Sequence, residues 1–257
     1  MTTRPSLIFL PGLACNASMW EPLLQTVAGA GLAALQPAIS DVHTRFPTFE
    51  RMATALLEEH PGELVLCGAS MGGMLAMEVG RQAPQRVKGL ALLGTSAQPE
   101  SDEMRQLREG AIGFFEQGRV QEVLQFNLPL AFHPSRAKDT VLHQTYLDMV
   151  LAAGAQQLIA QNRAVIARPD ARLHLPQLRC PVLVMCGDAD ALTPPERSRE
   201  IAAVAGQANL TGLSNPPNPT HQVSLVMVAQ CGHMLTLERP QEVSHVVIQW
   251  LNDHIFI

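Results

Sequence analysis

Short apolar runs that alternate with amphipathic stretches constrain the fold of this chain more than any other feature. Several runs are rich in valine and leucine without polar alternation, which is typical of strands buried on both faces. The stretches between them carry apolar residues at three-to-four spacing and predict helices. The predicted strands cover residues 6–10, 32–36, 64–67, 87–93, 182–186 and 224–229, and the helices cover 19–29, 49–60, 74–82, 195–205 and 239–252.

Strands that alternate with helices predict an α/β fold with a mostly parallel, doubly wound sheet and helices on both faces. The alternation lapses in the middle of the chain, where helical patterns follow one another at 104–116, 120–124 and 141–165. We therefore expect a helical cap at 99–175, inserted between two parts of the α/β core at 1–98 and 176–257.

Composition limits the partners that this chain can have. With 257 residues and 47% apolar content, the chain can bury a large core. The net charge of −5 and the absence of a lysine-arginine run argue against nucleic acid or an anionic membrane as the main partner. A small-molecule substrate fits better, and the oligomeric state is not readable from the sequence.

The cysteines and the amino-terminal segment bear on the cellular compartment. The five cysteines lack C-x-x-C or cysteine-histidine ligand spacing, which predicts reduced thiols and neither a metal site nor a disulfide framework. The first apolar run is too short for a signal peptide, and no stretch is long enough to span a bilayer. We therefore expect a cytoplasmic protein.

A sharp turn with serine at its apex follows the predicted strand at 64–67. Residues 68–72 read Gly-Ala-Ser-Met-Gly and lead into the helical stretch at 74–82, which is the layout of a nucleophile elbow. Gly68 and Gly72 would let strand and helix pass closely and leave the strain on Ser70. The pattern alone also fits a glycine-rich turn with a buried, hydrogen-bonded serine, so its meaning depends on other residues.

An acid and a histidine also follow predicted strands. Ligands of such sheets bind beyond the carboxyl ends of the strands, so reactive residues are expected there. Asp188 and Asp190 come after the strand at 182–186, and His233 comes after the last strand, behind Gly232. Serine, acid and histidine thus occur in the chain order of an α/β-type serine hydrolase.

These segments together resemble the α/β-hydrolase superfamily over nearly the whole chain, and in particular its small-esterase branch with a helical cap. The resemblance rests on Leu10-Pro11-Gly12 with Trp20, the elbow at 68–73, the loop at 187–194, and Cys231-Gly232-His233 followed by Glu238-Arg239-Pro240. The sequence Leu10-Pro11-Gly12 after the first strand departs from the histidine-glycine that is commoner at this position in the superfamily. Residues 211–223, rich in proline, are longer than the usual link before the last strand, and their role is not readable.

The resemblance implies a role for each matching residue. Ser70 would be the nucleophile, His233 the general base and acid, and Asp190 the acid that orients the histidine, with Asp188 as the alternative. The backbone N–H groups of Met71 and Leu13 would form the oxyanion hole.

The substrate pocket is the least constrained part of the prediction. Side chains near the candidate site could supply it, although apolar residues at helical spacing are more often core, and His133 also fits an ordinary loop histidine. The candidates are Phe132, His133, Leu192 and Met234.

We therefore expect a cofactor-free carboxylesterase that cleaves small to medium esters through an acyl-enzyme. The same fold carries other chemistries, so a carbon–carbon hydrolase or an enol-lactonase of aromatic degradation is an alternative. A second alternative is a sensor or binding protein that keeps the fold without turnover. A cofactor-free lyase or perhydrolase with the same three residues is a further possibility. The sequence does not identify the natural substrate or the length of its acyl chain.

Overall fold

A computed structural model describes residues 4–207 and 222–255. The predicted loop at 211–223 lies outside the described residues except for its last two positions. Among the described residues, none of the helices combines the length and the apolar composition of a membrane span.

Six strands form one sheet in which every described pair is parallel, in the order β2-β1-β3-β4-β5-β6. The predicted α/β class with helices on both faces is thereby confirmed. The strands are β1 (Ser6–Leu10), β2 (Ala38–Ile39), β3 (Leu64–Ala69), β4 (Val87–Leu93), β5 (Val182–Gly187) and β6 (Val223–Val228).

The prediction of a strand at 32–36 is wrong, because Leu32–Leu35 forms a 3₁₀ helix. The strand β2 begins at Ala38, three residues after the end of this helix. In a 3₁₀ helix, residues three apart lie on one side, and Leu32 and Leu35 are both buried in the same apolar cluster. Gln36 then takes a positive φ of 47° and Pro37 follows, so the chain turns before it can pair with β1.

Ten α-helices connect and cover the strands in the described residues. Three of them begin at capping side chains: Thr48, Ser101 and Asp139 each accept a backbone N–H of the helix that follows them. The helices are α1 (Glu21–Gly29), α2 (Val42–Arg45), α3 (Phe49–Glu59), α4 (Met71–Gln82), α5 (Asp102–Glu116), α6 (Val120–Ala131), α7 (Thr140–Ile166), α8 (Pro195–Gly206), α9 (Leu235–Glu238) and α10 (Pro240–His254).

Each inner strand buries both of its faces, which explains the absence of polar alternation in the sequence. In β1, Ile8 and Leu10 join a cluster with α3 and α4, whereas Leu7 and Phe9 join a cluster with α1 and α10 on the opposite face. Alternate residues of β3 divide between the same two clusters. The strands therefore stand between two apolar layers.

Three helices, α5, α6 and α7, lie between β4 and β5, and residues 94–181, all described, contain no strand. They enclose a third apolar cluster, which includes Ile112, Phe115 and Leu158. Gly154 has φ 75° and interrupts α7, so its two halves run in different directions. The division of the chain at 99 and 175 into core and cap stays a prediction.

Close backbone packing holds the turn between β3 and α4 against the end of β1. A Cβ atom on Gly72 would overlap the carbonyl oxygen of Leu10, and one on Gly68 would overlap the backbone of Gly72. Since a backbone carbonyl at the end of a paired strand cannot move aside, only glycine fits at these positions.

We expect Gly72→Ala to destabilise the protein by about 3 kcal/mol or more, because the added methyl group must displace β1 or α4. The matched control is Gly113→Ala inside α5, where nothing lies within 4 Å of the added Cβ. This change should stabilise the protein by about 0.5–1 kcal/mol through helix propensity. Urea denaturation of both variants tests the expectation, and equal stabilities would contradict it.

Candidate active site

Ser70 stands at the apex of the turn between β3 and α4 in a strained backbone conformation, with φ 52° and ψ −116°. Two hydrogen bonds hold it there: its N–H donates to Leu93 O at 2.8 Å, and Thr95 Oγ1 donates to Ser70 O at 2.7 Å. Positive φ is unfavourable for serine, so the surrounding contacts must impose it. The result is a partly exposed hydroxyl that projects beyond the carboxyl end of β3.

The structure brings Ser70, His233 and Asp190 together in one hydrogen-bonded chain. His233 Nε2 lies 3.0 Å from Ser70 Oγ, and His233 Nδ1 lies 2.9 Å and 3.1 Å from the two oxygens of Asp190. The three side chains come from loops after β3, β6 and β5. The His233 side chain is 8% exposed and that of Asp190 is fully buried, so the acid end of the chain is shielded from water.

Asp190 is held by its own loop as well as by His233. Its Oδ1 accepts the N–H groups of Leu192 at 2.9 Å and Thr193 at 2.8 Å, and its Oδ2 accepts the Thr193 hydroxyl at 2.8 Å. Burial alone would raise the pKa of Asp190, but the charge and hydrogen bond of His233 and the bonds from Thr193 outweigh it and lower that pKa. The carboxylate is therefore ionised and fixed in position.

The environment of His233 favours its charged form. Burial alone would lower the pKa of the imidazole, but the carboxylate of Asp190 and the hydrogen bond to it outweigh burial and raise that pKa above its usual 6.5. Because Asp190 can only accept, Nδ1 carries a proton, and the neutral ring therefore presents an unprotonated Nε2 to Ser70.

Asp188, the alternative acid, has a different position. Its carboxylate accepts the N–H groups of Gln230 at 3.0 Å and Cys231 at 3.1 Å. These bonds secure the loop that leads to His233, whereas the contacts of His233 Nδ1 are with Asp190 and Thr193. Of the two aspartates, Asp190 is the one within hydrogen-bond distance of the histidine.

The two expected oxyanion donors lie at the ends of neighbouring strands. Met71 is the first residue of α4, where a backbone N–H has no partner within the helix. Leu13 lies in the turn after β1, next to Gly12. Gly12 is close to Ser70, because a Cβ atom added to Gly12 would lie 3.5 Å from the Ser70 Cβ. In the described residues, neither the Leu13 nor the Met71 N–H has a hydrogen-bond partner.

A buried glutamate fastens the histidine loop to the end of α6. Glu238, 3% exposed, accepts the N–H of Gly232 with one carboxylate oxygen and the N–H of His133 with the other, both at 2.8 Å. The free carbonyl of Ala131 at the end of α6 accepts the N–H of His233 at 3.0 Å. The position of His233 thus depends on contacts with the segment predicted as a cap.

The residues predicted to line the pocket have different surroundings. Phe132 and Met234 are buried in an apolar cluster, and the Phe132 ring packs against His143 at 5.2 Å and Tyr146 at 5.5 Å between centroids. Leu192 and His133 are partly exposed, and His133 Nδ1 lies 2.7 Å from Ser135 Oγ. Their assignment to a substrate pocket stays a prediction.

The cysteines are buried thiols without disulfide bonds. Burial raises the pKa of each of them, that of Cys186 near Asp190 to about 11. They are therefore protonated and weak nucleophiles at neutral pH. Within residues 4–207 and 222–255, no group of three or more histidine, cysteine or acidic side chains is arranged to hold a metal ion.

Comparison with known families identifies the fold. A model described as the alpha/beta hydrolase family matches residues 7–246. The chain belongs to this family. Several solved structures with the same fold are similar to it. A thermophilic esterase from Thermogutta terrifontis has a TM-score of 0.80 and 22% identity, with 99% of this chain and 92% of that chain covered.

Two proteins that are similar in sequence differ in the reactions that their names state. A pimeloyl-[acyl-carrier protein] methyl ester esterase of Aromatoleum aromaticum is 27% identical over 93% of this chain and 95% of its own length. A 3-oxoadipate enol-lactonase of Acinetobacter baylyi is 24% identical over 95% of this chain and 87% of its own length. Both are hydrolases of carboxylic esters in the broad sense that includes lactones.

Sequence reasoning assigned no role to Thr193 and Glu238, although both lie in the segments that carry the family resemblance. Thr193 holds Asp190, and Glu238 holds the histidine loop. A signal for Glu238 was present, because an acidic residue among buried apolar positions needs a partner inside the protein. Its partners come from backbone groups of two distant segments, which the sequence does not identify.

Proposed function

We propose that this protein is a cofactor-free serine hydrolase that cleaves small to medium carboxylic esters through an acyl-enzyme. The observation that carries the proposal is the hydrogen-bonded chain from Ser70 through His233 to Asp190, with spacings of 3.0 Å and 2.9 Å. A serine hydroxyl needs an adjacent base to become a nucleophile, and His233 Nε2 is that base. Asp190 keeps the imidazole in the required tautomer and stabilises its cation.

The reaction runs in two halves. In the first, Ser70 Oγ attacks the ester carbonyl carbon as its proton passes to His233 Nε2, and the collapse of the tetrahedral intermediate expels the alcohol, which takes that proton. In the second, water attacks the acyl-enzyme with His233 again accepting a proton. The proton returns to Ser70 Oγ, and the carboxylic acid leaves.

The N–H groups of Met71 and Leu13 stabilise the negative charge that develops on the carbonyl oxygen in both halves. They are free to donate because neither has a partner in the described residues. Backbone donors that are held in place before the reaction need no reorganisation when the charge appears, and one of them is commonly worth about a hundredfold or more in rate.

The relatives support an ester as the substrate. The similar protein from Aromatoleum aromaticum is named for the hydrolysis of a methyl ester. A second candidate function is lactone hydrolysis, which the similarity to an enol-lactonase of Acinetobacter baylyi favours. Both reactions use the same attack on an ester carbonyl, and they differ in whether the leaving alcohol stays attached to the acyl group.

Hydrolysis of nitrophenyl acetate, butyrate, octanoate and laurate tests the proposal. We expect wild-type turnover that falls by about four orders of magnitude or more in Ser70→Ala and in His233→Ala, because the three residues act as a unit. The chain-length optimum would indicate the depth of the acyl pocket.

Circular dichroism and thermal melting of both variants provide the control for folding. Equal turnover by wild type and a folded Ser70→Ala would overturn the proposal. Hydrolysis of an enol-lactone without hydrolysis of any nitrophenyl ester would favour the second candidate. Labelling of Ser70 by a single turnover, without a second turnover, would instead favour a binding protein.

Asp190→Asn and Asp188→Asn form a matched pair that tests the assignment of the acid. Asp190→Asn should lower kcat by about a hundredfold to ten-thousandfold, because the amide no longer favours the required tautomer or the imidazolium. Asp188→Asn should lower kcat less than about threefold, because Asp188 secures only the preceding loop. Steady-state kinetics of both variants test the assignment of the acid. A larger loss in Asp188→Asn contradicts the assignment.

The pH dependence of kcat/KM should follow His233. Only the neutral imidazole accepts the serine proton, and its pKa is raised above 6.5, so activity should fall as pH drops through a midpoint above 6.5. Asp190→Asn removes the negative charge that raises this pKa, and the midpoint of its residual activity should therefore move to lower pH. Rate profiles between pH 5 and 9 measure both midpoints; an upward shift in the variant is incompatible with this explanation.

A further inference from the structure

The turn that carries the Leu13 N–H has a conformation that its own residues do not favour. Cys15 N–H donates to Gly12 O at 3.1 Å and closes a four-residue turn, in which Ala14, at the third position, has φ 57°. Leu13 does not have a positive φ, so the turn is type II, which usually requires glycine at the third position. Alanine prefers the type I form, in which the peptide between Leu13 and Ala14 is flipped.

A buried glutamine of α7 holds this peptide in its present orientation. Gln161, 1% exposed, accepts the Ala14 N–H with its Oε1 at 2.7 Å, and its Nε2 donates to His43 O at 3.0 Å. The first partner is a donor and the second an acceptor, so an amide side chain matches both. Flipping the peptide would remove the Ala14 N–H from Gln161 and leave a buried acceptor unpaired.

His43 also binds this turn, at the residue that follows Ala14. Its Nε2 lies 3.0 Å from Cys15 O, which can only accept, so Nε2 carries the proton. Burial lowers the pKa of His43, which keeps the ring neutral and leaves this single ring proton for the carbonyl. Gln161 and His43 therefore bind the turn at two successive residues and bind each other through the His43 carbonyl.

Apolar packing joins the same turn to the helices between β4 and β5. Ala14 is 1% exposed and belongs to the apolar cluster of these helices, together with Leu158 and Ile159 of α7. Leu13 packs against this cluster as well. The turn thus contacts α7 through both its polar and its apolar groups.

We propose that Gln161 is a positioning residue that, together with His43, fixes the strained Gly12–Cys15 turn against α7 and so keeps the Leu13 N–H aimed at the reacting carbonyl. The inference rests on the proposed serine-hydrolase function. A flip of the Leu13–Ala14 peptide does not itself reorient the Leu13 N–H, which belongs to the preceding peptide. Without Gln161, however, the turn loses its hydrogen bond to α7 and moves more freely as a whole, so the donor is in place for only part of the time. A loss of this kind acts on the transition state more than on substrate binding, because the negative charge on the oxygen develops only there.

The test compares Gln161→Met with Asn162→Leu. Methionine has a similar size but provides neither hydrogen bond. Asn162 is the matched control, because it is the next residue of α7 and is also buried, yet it donates to Leu158 O and accepts from Arg108, away from the turn. Both changes remove a buried amide from one helix, so a general loss of stability should appear in both.

Two readouts separate positioning from stability. Hydrogen–deuterium exchange of a peptide that covers residues 11–16 should be faster in Gln161→Met, since the Ala14 N–H loses its acceptor, and unchanged in Asn162→Leu. In nitrophenyl ester hydrolysis, Gln161→Met should lower kcat by about tenfold to a hundredfold with KM changed less than about threefold. Its affinity for a trifluoromethyl ketone, whose adduct carries an oxyanion, should fall by a similar factor.

Unchanged exchange in Gln161→Met would overturn the proposal, and so would faster exchange with unchanged kcat. Equal losses of kcat in both variants would also overturn it, since they would indicate a general effect on α7. If Gln161→Met does not fold, His43→Phe removes the bond to Cys15 O and should produce the same two changes. If wild type hydrolyses no ester, the proposed function fails, and the exchange experiment still decides whether Gln161 holds the turn.

Discussion

The contact between the β3–α4 turn and the end of β1 is the constraint on which the rest of the site depends. Gly72 lies so close to the carbonyl of Leu10 that no side chain fits between them. This approach places the strained Ser70 beside the turn that follows β1, so the candidate nucleophile and both candidate oxyanion donors lie at one edge of the sheet. Backbone packing, rather than side-chain attraction, determines their spacing.

The hydrogen bonds of the site form two layers around this edge. The chain from Ser70 to Asp190 is the layer proposed to perform the chemistry, and its charged member is fully buried. Around it, Glu238 and Gln161 bind backbone N–H groups of the histidine loop and of the turn after β1. His233 donates its N–H to Ala131 at the end of α6, and Gln161 belongs to α7, so the segment between β4 and β5 supports the site as well as covering the sheet.

Much of the sheet could be predicted from the sequence, because a buried parallel strand needs a continuous apolar run and little else in the chain has one. The run at 32–36 was the exception: Leu32 and Leu35 bury the same apolar surface in a 3₁₀ helix, and hydrophobicity alone does not separate these two forms. The order of the elements also predicted which loops meet at the carboxyl edge, which is why Ser70, Asp190 and His233 could be named as neighbours.

The sequence by itself determined the α/β class, most of the order of strands and helices, and the loops that carry Ser70, His233 and the candidate acids, since these follow from local patterns and chain order. The choice of Asp190 over Asp188 came from the family resemblance. Only the tertiary structure decided the partners of Gln161 and Glu238. Gln161 lies 147 residues from Ala14, and Glu238 lies 105 residues from His133. Every residue except proline carries a backbone N–H, so the residue type does not indicate which N–H a distant side chain binds. Such contacts can be identified only from the folded structure.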